Sequence, residues 1–273
     1  MTAPATATVV APPPARTNSL AQTWAMSRRS ILAIARQPAL VAPSLIFPLF
    51  FAALGTSSFG RATLLPGFPK VDSFLDFSLA GSVTQGVLFG SVTGGAALAT
   101  DIEQGFFDRL LSTPTSRTSI VVGRLAGAAA YGAFQALFFT LALLPFGLTV
   151  RSGALGVAVI VLSGAVTGMA IGGLMAAMGI KTGSAEAVQG SFPLLFIALF
   201  FSSAFFPRET MDGAYKAIAG VNPVSYLVEG IRGLVIEGFT AGNVAKALLV
   251  PLAIGGLSIP LALRTLNRRL AAR

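Results

Sequence analysis

Of 273 residues, 54% are hydrophobic and only 11% charged, with a mean hydropathy of +0.78, whereas an ordinary soluble domain is roughly 25% charged. The chain has no His and no Cys, which excludes a Ser-His-Asp triad, a Cys nucleophile, a His-ligated metal, a haem, an iron–sulfur cluster and a disulfide framework. A net charge of +9 could suggest nucleic acid, but the basic residues are scattered singly between hydrophobic runs, as at the rim of a membrane protein.

Residues 1–16, rich in Ala, Pro and Thr, cannot build a core and are expected to form a disordered tail. In Thr17–Arg36, Leu20, Trp24, Ile31 and Ala35 recur at roughly helical spacing among Arg28, Arg29 and Arg36. That pattern predicts an amphipathic helix on the membrane surface, with Trp24 as an interfacial anchor. A cleaved signal peptide fits poorly, because the apolar run starts late and no small-x-small site follows it.

Charge-free stretches then predict six transmembrane helices, since about 20 apolar residues cross a hydrocarbon core. They lie at about 38–60, 77–100, 125–148, 154–180, 187–206 and 244–263, within one transmembrane domain over 17–273. The last is extended past Lys246, which can snorkel to the interface. None alternates as a barrel strand would, so the expected fold is an all-α membrane protein.

Between the second and third spans, Asp101–Arg117 reads DIEQGFFDRLLSTPTSR. On a helical wheel Phe106, Phe107, Leu110 and Leu111 share one face and Gln104, Asp108, Arg109 and Ser112 the other, with Pro114 as the stop. A short amphipathic helix is expected there, either resting on the bilayer or offering its polar side to a soluble partner. The long connection Pro207–Asn243 is too polar for a span and too apolar for an aqueous loop. Met211–Ala219 and Ser225–Ile236 are its expected helices, separated by the break at Asn222–Pro223. It reads as a re-entrant outer segment that is either a cap or a gate, with Glu229 and Arg232 close enough on one face to neutralise each other.

Within the spans, Gly86, Gly90 and Gly94, Gly123 and Gly127, and Gly164, Gly168 and Gly172 have the G-x-x-x-G spacing that lets helices approach closely. Phe192, Phe196 and Phe200 recur every four residues, as aromatic bulk or as the lining of an apolar pathway. Gln85 and Gln135 are costly in hydrocarbon, so each either bonds a neighbouring helix or lines a polar path. No charge sits mid-span, as ion coupling usually demands, and no G-x-x-x-x-G-K-[ST] phosphate loop occurs. Any driven transport must take its energy from another chain.

With both termini on the cytoplasmic side, the inner segments hold twelve Lys and Arg against four acids, and the outer segments seven against six. Nearly all the basic excess is then on one side, as the positive-inside rule requires. Arg outnumbers Lys fifteen to four, a composition that suits a GC-rich bacterium and hence its inner membrane.

Two stretches carry a resemblance. Glu103-Gln-Gly105-Phe-Phe107-Asp108-Arg109-Leu110-Leu-Ser-Thr113-Pro114 is similar to the coupling-helix pattern E-x-G-T-x-E-x-L-x-x-T-P of ABC-2 type permeases, with Phe106 in place of the usual Thr. Asn222-Pro223-Val-Ser-Tyr226-Leu-Val-Glu229-Gly-Ile-Arg232 resembles the N-P-V-[ST]-Y segment before that family's last helix. The daunorubicin-resistance exporters are the subgroup it resembles most. The resemblance implies two permease subunits, as a homodimer or heterodimer in the bilayer, each resting on a separate ABC ATPase that binds ATP and Mg. It implies no cofactor on this chain and no nucleic-acid partner. The substrate class expected is an apolar or amphipathic drug, antibiotic or lipid-like molecule. An ion-coupled secondary transporter and a permease for lipid-linked glycan or polysaccharide are the alternatives. With Gly105 inside the coupling helix, Gly105→Pro is expected to uncouple ATP hydrolysis from export while the spans still insert, and wild-type export by that variant would refute the assignment of this loop.

Overall fold

The structure, a computed structural model, describes residues 19–36, 38–64, 66–111 and 117–271, so the expected tail at 1–16 lies outside the described residues. Helices follow in the order α1 (Ser19–Ala35), α2 (Pro38–Phe59), α3 (Phe74–Glu103), α4 (Phe106–Leu111), α5 (Arg117–Leu143), α6 (Gly153–Thr182), α7 (Ala185–Gln189), α8 (Phe192–Phe200), α9 (Gly213–Val221), α10 (Pro223–Ile236) and α11 (Ala241–Ala271), with no strand among the described residues.

Among the described residues, four segments are long and apolar enough to cross a membrane: Val41–Leu64, Thr118–Phe146, Gly153–Thr182 and Ala241–Ala271. Two of them, in α5 and α11, begin several residues before the charge-free stretches that predicted them, because the helix continues past Arg124, whose charge is met by Asp101, and past Lys246, whose long side chain can reach out of an apolar helix end. The thirty residues of α3 span about 45 Å, but it carries Ser82, Thr84, Gln85 and Ser91, all buried against other helices. The stretch expected as one helix at 187–206 is broken. α7 ends at Gln189 with Gly190 as its cap, Ser191 leads into α8, α8 stops at Phe200, and residues 201–206 form turns.

α3 runs through the middle of the bundle, packed on α2, α5, α6 and α10, while α11 closes on α6 and α10. Its start is set by a capping box in which Ser73 Oγ accepts from Leu75 N and the Asp76 carboxylate accepts from Ser73 N. The same buried carboxylate accepts from the backbone N and the hydroxyl of Thr149 (2.7 and 3.2 Å), tying α3 to the connection between α5 and α6. That connection reaches α10, where Arg151 N and Ser152 N donate to the carbonyls of Val235 and Leu234.

The glycine spacings are used as the sequence suggests, and the structure shows against what. A Cβ on Gly164 of α6 would stand 2.6 Å from the carbonyl oxygen of Gly132 on α5, and one on Gly168 would stand 2.5 Å from that of Ala128. Gly127 of α5 faces α1 instead, where a Cβ would meet Ser30 Cβ at 2.5 Å, so the second glycine pair seats the amphipathic helix rather than a span. Close backbone approach maximises van der Waals contact, the main attraction between helices in lipid. Gly164→Val is expected to lower the thermal midpoint in detergent, at a cost of about 1–3 kcal/mol or more from overpacking. Gly94→Ala, where nothing lies within 4 Å of a new Cβ, should leave that midpoint unchanged or slightly raised.

Candidate functional site

Helical spacing places Phe192, Phe196 and Phe200 on one face of α8, and that face meets α3 and α2. Phe89 of α3 lies 4.5 Å from Phe192 and 6.0 Å from Phe196, ring centre to ring centre. Phe196 continues to Phe200 (4.5 Å), and Phe200 to Phe205 in the turn after α8 (4.6 Å). Phe51 of α2 closes the far side, 5.7 Å from Phe205 and 6.5 Å from Phe200. The tilted, offset rings suit the aromatic quadrupole, so this seam is cohesive yet made of separable flat faces.

A cavity lies at each end of the seam. Toward α7, Phe47, Phe89, Phe192 and Gln189 line one of about 650 Å³. Toward α10, Phe51, Phe74, Phe77, Phe200, Phe205 and Gln85 line another of about 260 Å³. Gln85 is 1% exposed and its Nε2 has no hydrogen-bond partner among the described residues. A buried amide donor left open on an apolar wall is the kind of polar group that orients a ligand. The two glutamines of the sequence reading therefore part company. Gln135 Nε2 donates to the Gly86 carbonyl (2.9 Å) and to Ser44 Oγ (3.1 Å), whose hydroxyl also bonds the Tyr131 hydroxyl (2.6 Å). Gln135 thus fastens α5 to α3 and α2 away from the seam.

At the other end of α3, Glu103 closes the helix and Gly105 forms an elbow at φ +68°, a left-handed conformation that glycine adopts without strain. The expectation that a helix runs through Gly105 is corrected: α4 begins after it, at Phe106. The elbow arises because the backbone must turn out of α3 before the Phe-Phe pair can turn in. Proline, held near φ −65°, cannot adopt this elbow, so Gly105→Pro acts on the hinge. Phe107 is buried among Leu98, Ile102, Ile120, Leu125 and Leu266, at the ends of α3, α5 and α11. Leu110 packs on the same cluster, and Arg109 is exposed on the opposite side. The Glu103 carboxylate accepts from Ala185 N (2.8 Å), holding the start of α7. Thr113 and Pro114, and the side chain of Asp108, lie outside the described residues.

Three residues with no local pattern to announce them join α1 to this end. Asp101 pairs with Arg124 of α5 and with Arg29 of α1 (3.4 Å), and the Arg29 guanidinium sits 4.1 Å over the Phe106 ring. Burial pushes Arg29 down from its ordinary pKa. An acid just past the end of an apolar run, among flanking arginines, was the signal available. Its partners are 72 and 23 positions away, so no spacing could identify them.

The outer segment also brings its expected residues together, with one correction. Asn222 accepts from Val224 N to cap α10, and Pro223 takes the first helical position, where no N–H is needed. Tyr226 donates to the Gly220 carbonyl (2.7 Å). Glu229 and Arg232 do not form the expected pair: Glu229 binds Arg208 (2.5 Å), which also lies over the Tyr226 ring. Burial draws the Arg208 guanidinium down, but Glu229 and Tyr226 together hold it above its ordinary pKa. Arg232 turns inward to backbone carbonyls.

Long apolar helices around a protein-enclosed polar one, with a broken helix beside it, define a multi-pass membrane protein. The chain matches the family described as ABC-2 type transporter over residues 21–236. It is 31% identical to the daunorubicin resistance ABC transporter permease protein DrrB1 of Streptomyces coeruleorubidus, over 92% of this chain and 88% of that one. It is 25% identical to the probable doxorubicin resistance ABC transporter permease protein DrrC of Mycobacterium tuberculosis, over 86% and 88%, and 29% identical to the putative transport permease ycf38 of Porphyra purpurea, over 76% and 72%. The chain belongs to the ABC-2 type transporter family and is a membrane permease of that class.

Asp101→Asn leaves Arg29 and Arg124 without their counter-charge at a partly buried site. It is expected to cost about 3 kcal/mol and to free α1, measured as a lower thermal midpoint and faster tryptic cleavage after Arg28, Arg29 and Arg36. Unchanged cleavage would mean that packing on α5, with the glycine contact and the Thr23–Ser119 bond, suffices to hold α1.

Proposed function

We propose that the chain is the transmembrane permease subunit of an ATP-driven exporter. In this reading α2, α3, α5, α6, the broken pair α7–α8 and α11 make six crossings of a bacterial inner membrane, with both termini cytoplasmic. Two such permeases, identical or related, each rest on a separate ATPase subunit that holds ATP and Mg. The short helix α4 is the coupling helix, and Glu103, Asp108, Arg109, Thr113 and Pro114 belong to the surface that meets the ATPase. The substrate is apolar or amphipathic, a drug, antibiotic or lipid-like molecule, and passes along the seam beside Gln85, Phe192, Phe196 and Phe200. The similarity to the daunorubicin resistance permease DrrB1 and the probable doxorubicin resistance permease DrrC supports a drug-export role.

The observation that carries the reading is the seating of Phe107. A single aromatic side chain, 2% exposed, inserts α4 among the ends of three long helices, while the elbow at Gly105 lets α4 tilt relative to α3. A push on the exposed side of α4 is thereby delivered to the bundle. The aromatic seam and the absence of mid-span charge favour an apolar cargo and ATP over an ion gradient.

Export should stop when ATP is depleted with the proton gradient intact, and sustained export would sink the coupling. In the assembled complex, Phe107→Ala is expected to keep most of the basal ATP hydrolysis and lose tenfold or more of export, about 1.4 kcal/mol of coupling. Equal loss of both activities would point to misassembly.

A further inference from the structure

Residues 201–206 are non-helical, and their middle is buried: Ser202 and Ser203 are fully enclosed and Ala204 is 2% exposed, while Phe201 and Phe206 at the two ends are exposed. Non-helical backbone at membrane depth persists only where protein satisfies its polar groups. Most of that satisfaction comes from α9 and α10. Tyr215 donates to the Phe200 carbonyl, Asn222 Nδ2 to those of Ala198 (2.6 Å) and Phe201 (2.8 Å), and Ser203 and Ser225 exchange two bonds (3.2 and 3.1 Å).

Arg232 does something different. Its Nη2 donates to the carbonyls of Ser203 (2.8 Å) and Ala204 (3.1 Å), while its Nε reaches the Phe77 carbonyl on α3 (3.3 Å). Its guanidinium also lies 3.7 Å over the Phe77 ring. The side chain is 6% exposed and, among the described residues, no carboxylate lies within ion-pair distance, because Glu229 is held by Arg208. A guanidinium presents five donors in a fixed planar fork that spans two elements, whereas an ammonium gathers its three donors at one point on a flexible stem. Behind Phe77 and Ala204 is the 260 Å³ aromatic cavity, and at Gly81 α3 comes so near the turn that a Cβ would lie 2.9 Å from the Ala204 carbonyl.

We propose that Arg232 is the positioning residue that latches the 201–206 turn onto α3 and thereby closes the outer end of the aromatic cavity. The location of the bonds makes the latch directional. Without Arg232 the turn keeps its bonds to Asn222, Tyr215 and Ser225 on the α9–α10 side and loses those to α3, so it opens like a leaf hinged on α10. Breaking one set of charge-assisted bonds frees one wall and leaves the fold in place. The role of this closure in transport rests on the exporter reading above, whereas the closure itself does not.

The chain has no Cys, so an introduced one is its single thiol. Ser82→Cys places it in the cavity wall, and Lys216→Cys on exposed α9 is the control. Labelling by a membrane-impermeant maleimide is followed in intact cells making the full transporter, with Arg232 native or replaced by R232K or R232M. Ser82→Cys is expected to label slowly in the native background, about tenfold or more faster with R232M and at an intermediate rate with R232K, while Lys216→Cys labels alike in all three. An unchanged Ser82→Cys rate in both variants overturns the latch. If R232M fails to accumulate, R232K decides alone. If Lys216→Cys labels only in inverted vesicles, the orientation assigned under the exporter reading fails, and the Ser82→Cys ratio measured in those vesicles decides the latch.

Discussion

In hydrocarbon a polar group has no water to fall back on, so each hydroxyl, amide and unpaired carbonyl must be met by another part of the chain. The architecture follows from that constraint. α3, which carries Ser82, Thr84, Gln85 and Ser91, is enclosed by α2, α5, α6 and α10; Ser82 reaches the Pro48 carbonyl of α2, while Thr84 and Ser91 bond carbonyls of their own helix. The break after α8 leaves backbone groups that another segment must meet, and the α9–α10 segment meets them: Tyr215, Asn222 and Arg232 donate to carbonyls, and Ser225 Oγ accepts from Ser203 N. That segment thus completes the hydrogen bonding of a helix that ends early.

Dense packing follows from the same setting. Without a hydrophobic drive between helices, contact must come from closeness, and the glycines of α5 and α6 let two backbones meet almost directly. The seam between α3 and α8 is the contrast, a face of large rings with a cavity at each end. One side of α3 is thereby locked by small residues and the amide of Gln135, and the other is built of side chains that can part.

The two ends of the bundle use charge differently. At the α4 end, Asp101 gathers two arginines and binds the surface helix α1 to the bundle. At the α10 end, Glu229 takes Arg208 and leaves Arg232 to the backbone, so a cation holds a turn in place of a second ion pair. In the exporter reading the first end receives a mechanical push and the second opens to release cargo, which needs neither His nor Cys from this chain.

Composition and pattern alone determined the membrane setting, the all-helical class, the amphipathic helix before the bundle, the short helix with Phe107 on its apolar face and the pair of helices around Asn222–Pro223. These are local properties, readable from runs of apolar residues, helical periodicity and proline. Tertiary structure alone decided that the Nε2 donor of Gln135 is bonded and that of Gln85 is left open, since both stand in apolar helices and only the neighbours differ. It decided that Gly105 is an elbow and that the fifth apolar stretch is broken, because a turn depends on what can receive its carbonyls. It also paired Glu229 with Arg208 instead of Arg232. Residues three apart on a helix can meet, but the better partner was 21 positions away, and sequence spacing carries no record of contacts at that range.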